Sequence, residues 1–463
     1  MKKTYISIVA SLLLFSNAMA ADATKTETRK FTSEAIDQIV AEMQTLLHND
    51  TLSWMFSQCF PNTLNTAVDY CVGEDGLDDT FVITGDIDAM WLRDSGAQVW
   101  PYVAYINKDE KLRHLIRGVI NRQLKCLNID PYANAFYRTP GKSEWMSDYT
   151  AMTPMLHERK WELDSPCYVL RLIYGYWQQT HDAELISSDL FLDALEKVLA
   201  VFVEQQKWDG VQKTSYRFGR KTHAMHDTTS NYGYGHPVKP CGMIASMFRP
   251  SDDCTLFQFL IPSNFMAQDV LTKTARMMRE VSAGKGTDAR LEALIRQCER
   301  IASEVQSGLQ QHAIVAHPKY GNVYAFEVDG FGSALLQDDA NVPSLLSLPY
   351  LTDMPVDDPI YQNTRRMILS DDNPYYFSGK AGAGIGSQHT TLDTIWPMSI
   401  IMQAMTSTDE AETQRCVRML MTTHGGTGFM HESFNKDDDK NFTRSWFAWA
   451  NTLFGELLIK LYK

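Results

Sequence analysis

The chain has 463 residues, a formal net charge of −13 and a hydrophobic fraction of 44%. The acidic balance argues against nucleic acid and anionic membrane surfaces as partners, because both repel negative charge. Eight cysteines are spread through the sequence without a C-x-x-C pair, which excludes a disulfide-dense scaffold and a zinc knuckle. The apolar fraction is ample for a large core, and a single barrel domain can hold this many residues.

The first twenty residues have the pattern of a secretory signal peptide. Met1-Lys2-Lys3 supplies the charged start, residues 6–15 form an apolar run, and Ala18-Met19-Ala20 is a small-x-small cleavage site. The apolar run is too short to span a bilayer, and a buried first helix is the alternative interpretation. We expect cleavage after Ala20, a single domain over residues 21–463, and a location in the periplasm or outside the cell.

Helical periodicity dominates the rest of the chain. Apolar residues recur at i, i+3, i+4 and i+7 over residues 36–47, 112–120, 192–203, 291–305 and 453–461. Helices that are apolar on most faces are predicted for residues 168–177, 395–405 and 448–458. Only residues 322–329 alternate like a strand. Buried inner helices and amphipathic outer helices predict a large all-α domain with two concentric helical layers.

Long loops rich in Gly, Pro, Asp and aromatic residues separate the helices. The first of them ends with Asp86 and Asp88 and leads into Trp91-Leu92-Arg93-Asp94. An Asp-x-Asp pair could bind Ca²⁺, but the ligand spacing and terminal Glu of an EF-hand are missing. A structural ion pair of Arg93 is a second interpretation. A sugar site is the third, because carboxylates and an arginine form paired hydrogen bonds with vicinal hydroxyls.

Two adjacent carboxylates occur in Arg249-Pro250-Ser251-Asp252-Asp253. Ser251 or Asp252 could cap a helix that runs through residues 256–260. Alternatively, one aspartate is a general acid in a pocket, because burial or a neighbouring negative charge raises the pKa of a carboxyl group. One aspartate could also cap while the other faces the pocket, and the residues alone leave this choice open.

A further carboxylate, Glu432, follows the glycine-rich turn of residues 425–428. By itself it resembles an exposed loop glutamate, but the aromatic residues around it favour the wall of a shaped pocket. The chain also contains 10 Trp and 20 Tyr, whose flat faces and polar tips suit sugar rings. Two separated carboxylates in such a chain indicate acid–base chemistry on a glycosidic bond.

Other polar and aromatic residues are weaker candidates. The loop histidines His226, His236 and His389 could bond ligand hydroxyls, and no spacing typical of metal ligands supports metal binding by them. Glu162 and Asp164 could bind sugar or cap the helix that the following proline begins. The tryptophans that could stack on a sugar or fill the core are Trp91, Trp145, Trp161 and Trp396.

Five motifs resemble, in order, those of the bacterial and fungal metal-independent α-mannosidases, glycoside hydrolase family 125. They are TGDIDAMWLRDS at residues 84–95, FRPSDD at 248–253, IPSN at 261–264, DDANVPS at 338–344 and GFMHESF at 428–434. The matches run in order from about Thr84 to Trp449, which is nearly the whole mature chain. Together the motifs are highly specific, although any one alone is weak.

The resemblance implies an (α/α)6 barrel with a loop-built active-site pocket at one end. It implies an exo-acting, inverting mannosidase for terminal α-1,6-linked mannose, with neither metal nor other cofactor. Asp252 or Asp253 would be the general acid, with Asp253 favoured, and Glu432 would be the general base. An inverting pair leaves room for water, so the two carboxyl groups should lie about 6.5–9.5 Å apart.

Substrate binding is assigned, on the same resemblance, to residues of the matched motifs and nearby loops. These residues are Asp86, Asp88, Trp91, Arg93, Asp94, His226, Arg249, Asn264, Asn341 and His389. The expected partner is a mannose-containing oligosaccharide or N-glycan, with no membrane span and a monomeric chain. The alternatives are a non-catalytic glycan-binding protein and another (α/α)6 enzyme, such as a glucosidase or a polysaccharide lyase.

Overall fold

The computed structural model describes residues 29–210, 213–285 and 288–463, so the predicted signal peptide lies outside the described residues. The fold is mostly helical. Its helices are α1 (Glu34–Leu46), α2 (Asp50–Cys59), α3 (Asn62–Thr66), α4 (Leu92–Val99), α5 (Glu110–Ile129), α6 (Asp164–Thr180), α7 (Ala183–Ile186), α8 (Asp189–Gln205), α9 (Ile261–Lys285), α10 (Ala289–His312), α11 (Leu348–Leu351), α12 (Pro359–Ile368), α13 (Pro397–Met405), α14 (Glu410–Thr422) and α15 (Ala448–Tyr462).

The helices fall into two classes, as the periodicity predicts. Helices α4, α6, α13 and α15 are buried on nearly every face. Helices α1, α5, α8 and α10 bury one apolar stripe each. Helix α6 packs against α4 and α9, and α15 packs against α4 and α13, while α5, α8 and α10 pack against one another in sequence. The buried helices therefore form an inner layer that the amphipathic helices cover.

The strands are short and lie between the helices. They are β1 (Val68–Val72), β2 (Asp78–Val82), β3 (Met90–Trp91), β4 (Ala135–Phe136), β5 (Leu156–Glu158), β6 (Phe259–Leu260), β7 (Ile314–His317), β8 (Gly321–Tyr324), β9 (Glu327–Val328), β10 (Ala334–Leu335), β11 (Tyr376–Ser378), β12 (Ala383–Ile385), β13 (Thr394–Ile395), β14 (Ser433–Asn435) and β15 (Asp438–Thr443). The pairings among them are antiparallel, including the hairpins β1–β2 and β7–β8 and the sheets β3–β4–β5, β6–β9–β10 and β13–β14–β15.

The expectation of a purely α-helical fold with one strand is therefore incomplete. The predicted strand at residues 322–329 corresponds to part of β8 and to β9, which belong to different sheets. Strands of two or three residues, such as β3 and β6, contain less than two periods of alternation. They leave no pattern in the sequence that could be recognised.

These short strands place functional side chains at the ends of the buried helices. Strand β3 ends at Trp91 and leads directly into α4, whose first residues include Arg93 and Asp94. The chain leaves β5 and reaches Glu162 just before α6 begins. Glu432 directly precedes β14.

Two further features of the chain concern its surface and its thiols. No helix in the described ranges is long and apolar enough to cross a membrane. All eight cysteines are free thiols.

Candidate active site

A pocket of about 90 Å³, here called the central pocket, opens among the loops that join the inner helices. It is lined by Thr84, Ile87, Trp91, Arg93, Asp94, Pro250, Ser251, Asp252, Asn341, His389, Trp396, Glu432, Arg444, Phe447 and Trp449. The chain thus brings Asp252 and Glu432, which are distant in sequence, to the walls of one pocket.

The turn at residues 249–253 decides which aspartate faces the pocket. Asp252 has a φ of 65°, in the left-handed region, and its N–H donates to the carbonyl of Arg249 at 2.9 Å. Its side chain is 22% accessible, whereas that of Asp253 is 1% accessible. No helix runs through residues 256–260, so a helix-capping role for Ser251 or Asp252 there is wrong. Asp252 lines the pocket and Asp253 lies behind it.

Asp253 is enclosed by polar neighbours. The hydroxyl of Ser251 donates to its Oδ2 at 2.9 Å. Its Oδ1 lies 3.7 Å from Nε2 of His226 and 3.6 Å from Nδ1 of His389. Asp253 can therefore hold these two imidazoles in place, but its buried carboxylate has little access to a molecule in the central pocket.

One arginine sits at the centre of a cluster of carboxylates beside Asp252. Arg93 is buried, and its guanidinium nitrogens lie 2.6 Å from Glu162, 3.4 Å from Asp94, 3.5 Å from Asp164 and 3.4 Å from Asp252. One cation cannot neutralise four carboxylates, and burial penalises the uncompensated charge. The cluster therefore favours retention of a proton.

The retained proton belongs to the pair of Glu162 and Asp252, whose carboxyl groups are hydrogen-bonded to each other. Burial raises the pKa of Glu162 well above its usual value, although Arg93 opposes this, and the charge of Asp252 raises it further. Burial also acts to raise the pKa of Asp252, but the hydrogen bond from Glu162 and the charge of Arg93 outweigh it and lower that pKa. The two directions together favour one shared proton on the pair, on the side of Glu162.

A raised pKa is expected for one of the two aspartates of the Arg249–Asp253 motif, but the raised pKa is that of their neighbour Glu162. Glu162 is completely buried and cannot touch a ligand itself. The amide of Asn134 donates to both members of the pair, at 3.3 Å to Glu162 and 3.4 Å to Asp252. The site therefore stores a proton one carboxyl group away from the pocket.

Glu432 stands on another wall of the pocket. Its side chain is 10% accessible, and its Oε1 lies 3.5 Å from Nη1 of Arg444. Nη2 of Arg444 donates to the carbonyl of Thr84 at 2.8 Å and to the carboxylate of Asp86. Arg444 therefore joins the loop before β3 to the segment that carries Glu432. A single arginine in a polar stretch gives no recognisable pattern, and sequence reasoning missed it.

His389 contributes a positive charge to the pocket wall. Burial acts to lower its pKa, but the hydrogen bond with Asp253 and the charges of Asp253, Asp252 and Glu432 raise it to about 9. The imidazole is therefore protonated at neutral pH. A cation at this position can stabilise the carboxylates on both walls and can donate to a ligand oxygen.

Aromatic rings form much of the remaining wall. Trp91 is 6% exposed, and its Nε1–H has no acceptor among the described residues, so it is free to donate to a ligand hydroxyl. Trp396, Phe447 and Trp449 also line the pocket. Trp161 is in the core, where its indole donates to the carbonyl of Ala245 at 2.7 Å.

Of the predicted substrate-binding residues, Trp91, Arg93, Asp94, Asn341 and His389 line the central pocket. Asn341 is held there by Asp339, which accepts from its backbone N–H at 2.9 Å and from its side-chain amide at 3.0 Å. These five residues come from three separate segments of the chain. Their convergence supports the assignment of the pocket as the functional site.

The other predicted residues lie outside this pocket, although some are close to it. Asp86 is an exposed partner of Arg444, and Asp88 is exposed. Arg249 is buried and its Nε donates to Glu327 at 2.6 Å. Asn264 is completely buried and its amide bonds the backbone of Ile244 and Leu260, so its side chain stabilises the start of α9.

A second cavity of about 450 Å³, here called the side cavity, lies beyond the Arg249–Asp253 turn. His226, Arg249, Cys254 and Gln388 are among its lining residues. Arg249 and Gln388 are adjacent in sequence to Pro250 and His389 of the central pocket, and His226 contacts Asp253 behind it. In the described residues no group of three or more His, Cys, Asp or Glu side chains is placed to hold a metal ion.

Comparison with known proteins relates this geometry to one family. A family model described as metal-independent alpha-mannosidase, GH125, matches residues 49–459. The meiotically up-regulated gene 157 protein of Schizosaccharomyces pombe is 40% identical over 454 residues, which cover 94% of this chain and 87% of that protein. A solved metal-independent alpha mannosidase of Streptococcus pneumoniae, in a non-productive complex with alpha-1,6-mannobiose, is 38% identical. It aligns with a TM-score of 0.87 over 93% of this chain and 99% of its own.

Proposed function

Because the chain belongs to glycoside hydrolase family 125, the metal-independent α-mannosidases, we propose that it removes non-reducing terminal α-1,6-linked mannose with inversion. The observation that carries this proposal is the placement of Asp252 and Glu432 on the walls of one pocket. The buried inner helices and their amphipathic cover support the further proposal that the fold is an (α/α)6 barrel.

Two observations support the choice of substrate. The Streptococcus pneumoniae relative was solved with alpha-1,6-mannobiose, so a ligand with this linkage fits a protein of similar structure. The central pocket is small and is walled by aromatic rings from Trp91, Trp396 and Phe447. Such a pocket suits a single terminal sugar, which is what an exo-acting enzyme binds.

In the proposed mechanism Asp252 is the residue that protonates the glycosidic oxygen. The proton that Glu162 shares with Asp252 moves onto Asp252 and from there onto the leaving oxygen as the glycosidic bond breaks. Both carboxyl groups are then ionised beside Arg93. Asp252 is preferred to Asp253 because Asp252 lines the pocket, whereas Asp253 is buried against His226 and His389.

Glu432 is the proposed general base. It removes a proton from a water molecule as the water oxygen attacks the anomeric carbon from the face opposite the leaving group. A single nucleophilic displacement at the anomeric carbon inverts its configuration, so α-linked mannose is released as β-mannose. No covalent intermediate forms, and the proton on Glu432 returns through solvent to the Glu162–Asp252 pair.

The charges required by this reaction are all supplied by side chains. Arg93 stabilises the carboxylates on the acid side, Arg444 lies beside Glu432, and His389 is a cation close to both. Trp91, Asn341 and Asp94 are placed to bond the hydroxyls of the terminal sugar. We therefore propose that turnover requires no metal ion.

We further propose that the protein is exported to the periplasm or the medium after removal of residues 1–20, and acts as a monomer on mannose-containing oligosaccharides or N-glycans. Residues 21–463 would form one catalytic domain, which agrees with a family match that spans residues 49–459. Mass spectrometry of the N-terminus of the exported protein tests the cleavage site.

Hydrolysis of mannobioses with different linkages tests the proposed activity. In the presence of EDTA, the protein should release mannose from α-1,6-mannobiose and much less from the α-1,2- and α-1,3-linked isomers. Equal rates on the three would contradict the linkage specificity. Binding without turnover would favour a non-catalytic glycan-binding protein, and loss of activity that Ca²⁺ or Zn²⁺ restores would contradict metal independence.

A further inference from the structure

An aromatic surface cleft, here called the tyrosine cleft, lies next to the side cavity. It has a volume of about 600 Å³ and is lined by Tyr149, Arg217, Thr229, Tyr232 and Tyr234, among others. Thr229 lines both the side cavity and the cleft. The two depressions therefore meet along one segment of the chain.

Two of the three tyrosine rings in the cleft are open to solvent. Tyr232 is 89% exposed and Tyr149 is 57% exposed. The guanidinium carbon of Arg217 lies 5.2 Å from the ring centre of Tyr149 and 5.3 Å from that of Tyr234. The cleft thus combines flat ring faces with hydroxyl tips and a guanidinium donor, a combination that suits neutral sugar rings.

The backbone holds Tyr232 in its exposed position at a conformational cost. Asn231 and Tyr232 have φ angles of 53° and 57°, so two consecutive non-glycine residues adopt the left-handed region. Gly233 follows with a φ of 90°, and a Cβ at this position would meet the carbonyl oxygen of Phe218 at 2.9 Å. Backbone strain of this kind persists where the surrounding structure enforces it, and it is concentrated at binding and catalytic sites.

The cleft is structurally connected to the reaction centre. His226, in the wall of the side cavity, lies 3.7 Å from Asp253. The side-chain amide of Gln258 donates to the carbonyl of Tyr234 at 2.9 Å, which fixes the cleft to the segment that follows Asp253. The side cavity therefore adjoins the central pocket at Arg249–Pro250 and Gln388–His389, and it meets the tyrosine cleft at Thr229.

We propose that the tyrosine cleft binds distal sugar residues of the leaving-group portion of a longer α-linked mannan chain. This inference rests on the proposed function and adds a preference for long substrates to it. The terminal mannose occupies the central pocket, the next sugar lies toward the side cavity, and later sugars stack on Tyr149 and Tyr232. Stacking on these two rings stabilises the ground state and the transition state equally, so losing it should raise KM and leave kcat nearly unchanged.

The test compares linear α-1,6-mannooligosaccharides of two to five sugars with an aryl α-mannoside. The variants are Tyr149→Ala, Tyr232→Ala and Tyr232→Phe. The control is Trp208→Ala, which removes another exposed aromatic ring that lines a different groove. Thermal unfolding checks that every variant is folded.

For the wild-type protein, kcat/KM should rise with chain length. In both alanine variants kcat/KM on the longest substrate should fall roughly tenfold through KM, a typical loss for one aromatic contact. Their rates on the aryl mannoside and on mannobiose should not change. Tyr232→Phe should keep most of the rise of kcat/KM with chain length, because it keeps the ring face. Trp208→Ala should resemble the wild type.

A chain-length dependence that is the same in the alanine variants and the wild type would overturn the inference. So would a wild-type protein that hydrolyses all lengths equally well, and in both cases the proposed mannosidase activity would stand. If the wild-type protein hydrolyses none of the α-mannosides, the proposed function itself fails.

Discussion

The guanidinium of Arg93 lies 2.6 Å from the carboxyl group of Glu162, with both side chains almost fully buried. Taking the guanidinium charge of Arg93 out of water costs several kcal/mol, which its attraction to the surrounding carboxyl groups offsets only with good geometry and additional hydrogen bonds. Ser165 supplies one such bond to Glu162 at 2.9 Å, and Asn134 supplies another. These contacts therefore hold the carboxyl group of Glu162 in a fixed position, where it can share a proton with Asp252.

Replacement of the two neighbouring aspartates should identify the acid. Asp252→Asn should lower kcat on α-1,6-mannobiose by about 10²–10⁴, the usual contribution of a general acid. Its loss on an aryl mannoside with a good leaving group should be much smaller, because such a leaving group needs little protonation. Asp253→Asn should lose less, and by a similar factor on both substrates. A selective loss on mannobiose in Asp253→Asn would assign the acid to Asp253 instead.

Replacement of the proton-holding carboxyl should change the pH profile. Activity requires one proton on the Glu162–Asp252 pair, so the basic limb of the kcat/KM profile reports the loss of that proton. Glu162→Gln removes the group whose pKa is raised and leaves Asp252 beside Arg93, which favours the ionised form. The basic limb should therefore move to lower pH. If the basic limb of Glu162→Gln stays at the wild-type pH and only the maximum kcat/KM changes, Glu162 is not the residue that holds the proton.

Removal of the central cation should destabilise the fold in a pH-dependent way. Arg93→Met leaves Asp94, Glu162, Asp164 and Asp252 without their shared partner, and breaking a buried pair costs about 3–5 kcal/mol. The charge of Arg93 acts to lower the pKa of all four carboxyls, so without it their folded-state pKa values are higher. The variant is therefore favoured at low pH, and stability is lost as pH rises. The difference in Tm from the wild type should be larger at pH 7 than at pH 5. A difference that does not change with pH would argue against this account of the cluster.

The protonated state of His389 can be observed directly. Its pKa of about 9 lies above the usual value of 6.5, so its contribution to stability is fully present below pH 6.5 and is lost between 6.5 and 9. An NMR titration, with the resonance assigned from His389→Gln, should show the ring titrating near pH 9. In Asp253→Asn the same ring should titrate at lower pH. A wild-type value near 6.5 would contradict the proposed cation.

The sequence predicts much of the helical framework, because the buried stripes of α1, α5, α8 and α10 repeat with the period of a helix. It also indicates the residue types of the site, since the aspartates at 252 and 253 and Glu432 lie in motifs with glycine, proline and aromatic neighbours. It could not distinguish Asp252 from Asp253. That distinction depends on the left-handed backbone at Asp252, which is set by the turn back to Arg249.

Other parts of the site depend on tertiary contacts that no local pattern records. Arg444 reaches Glu432 and Thr84 from an otherwise polar stretch, and Asn134 contacts both Glu162 and Asp252 from the chain just before β4. Conversely, the motif residue Asn264 has a structural role, because its amide completes the hydrogen bonds of the backbone before α9. A motif therefore indicates where functional residues are concentrated without assigning each of its members to the pocket.

The stereochemistry of the released sugar tests the central proposal most directly. In the proposed mechanism Asp252 and Glu432 are the acid and the base on the walls of one pocket, and water is the nucleophile. Proton NMR during rapid hydrolysis of α-1,6-mannobiose should show β-mannose first, with α-mannose growing in only at the rate of mutarotation. In Glu432→Gln this signal should nearly vanish while substrate binding is kept. Initial release of α-mannose would contradict the account, because it would require a covalent intermediate and a nucleophile in place of the base.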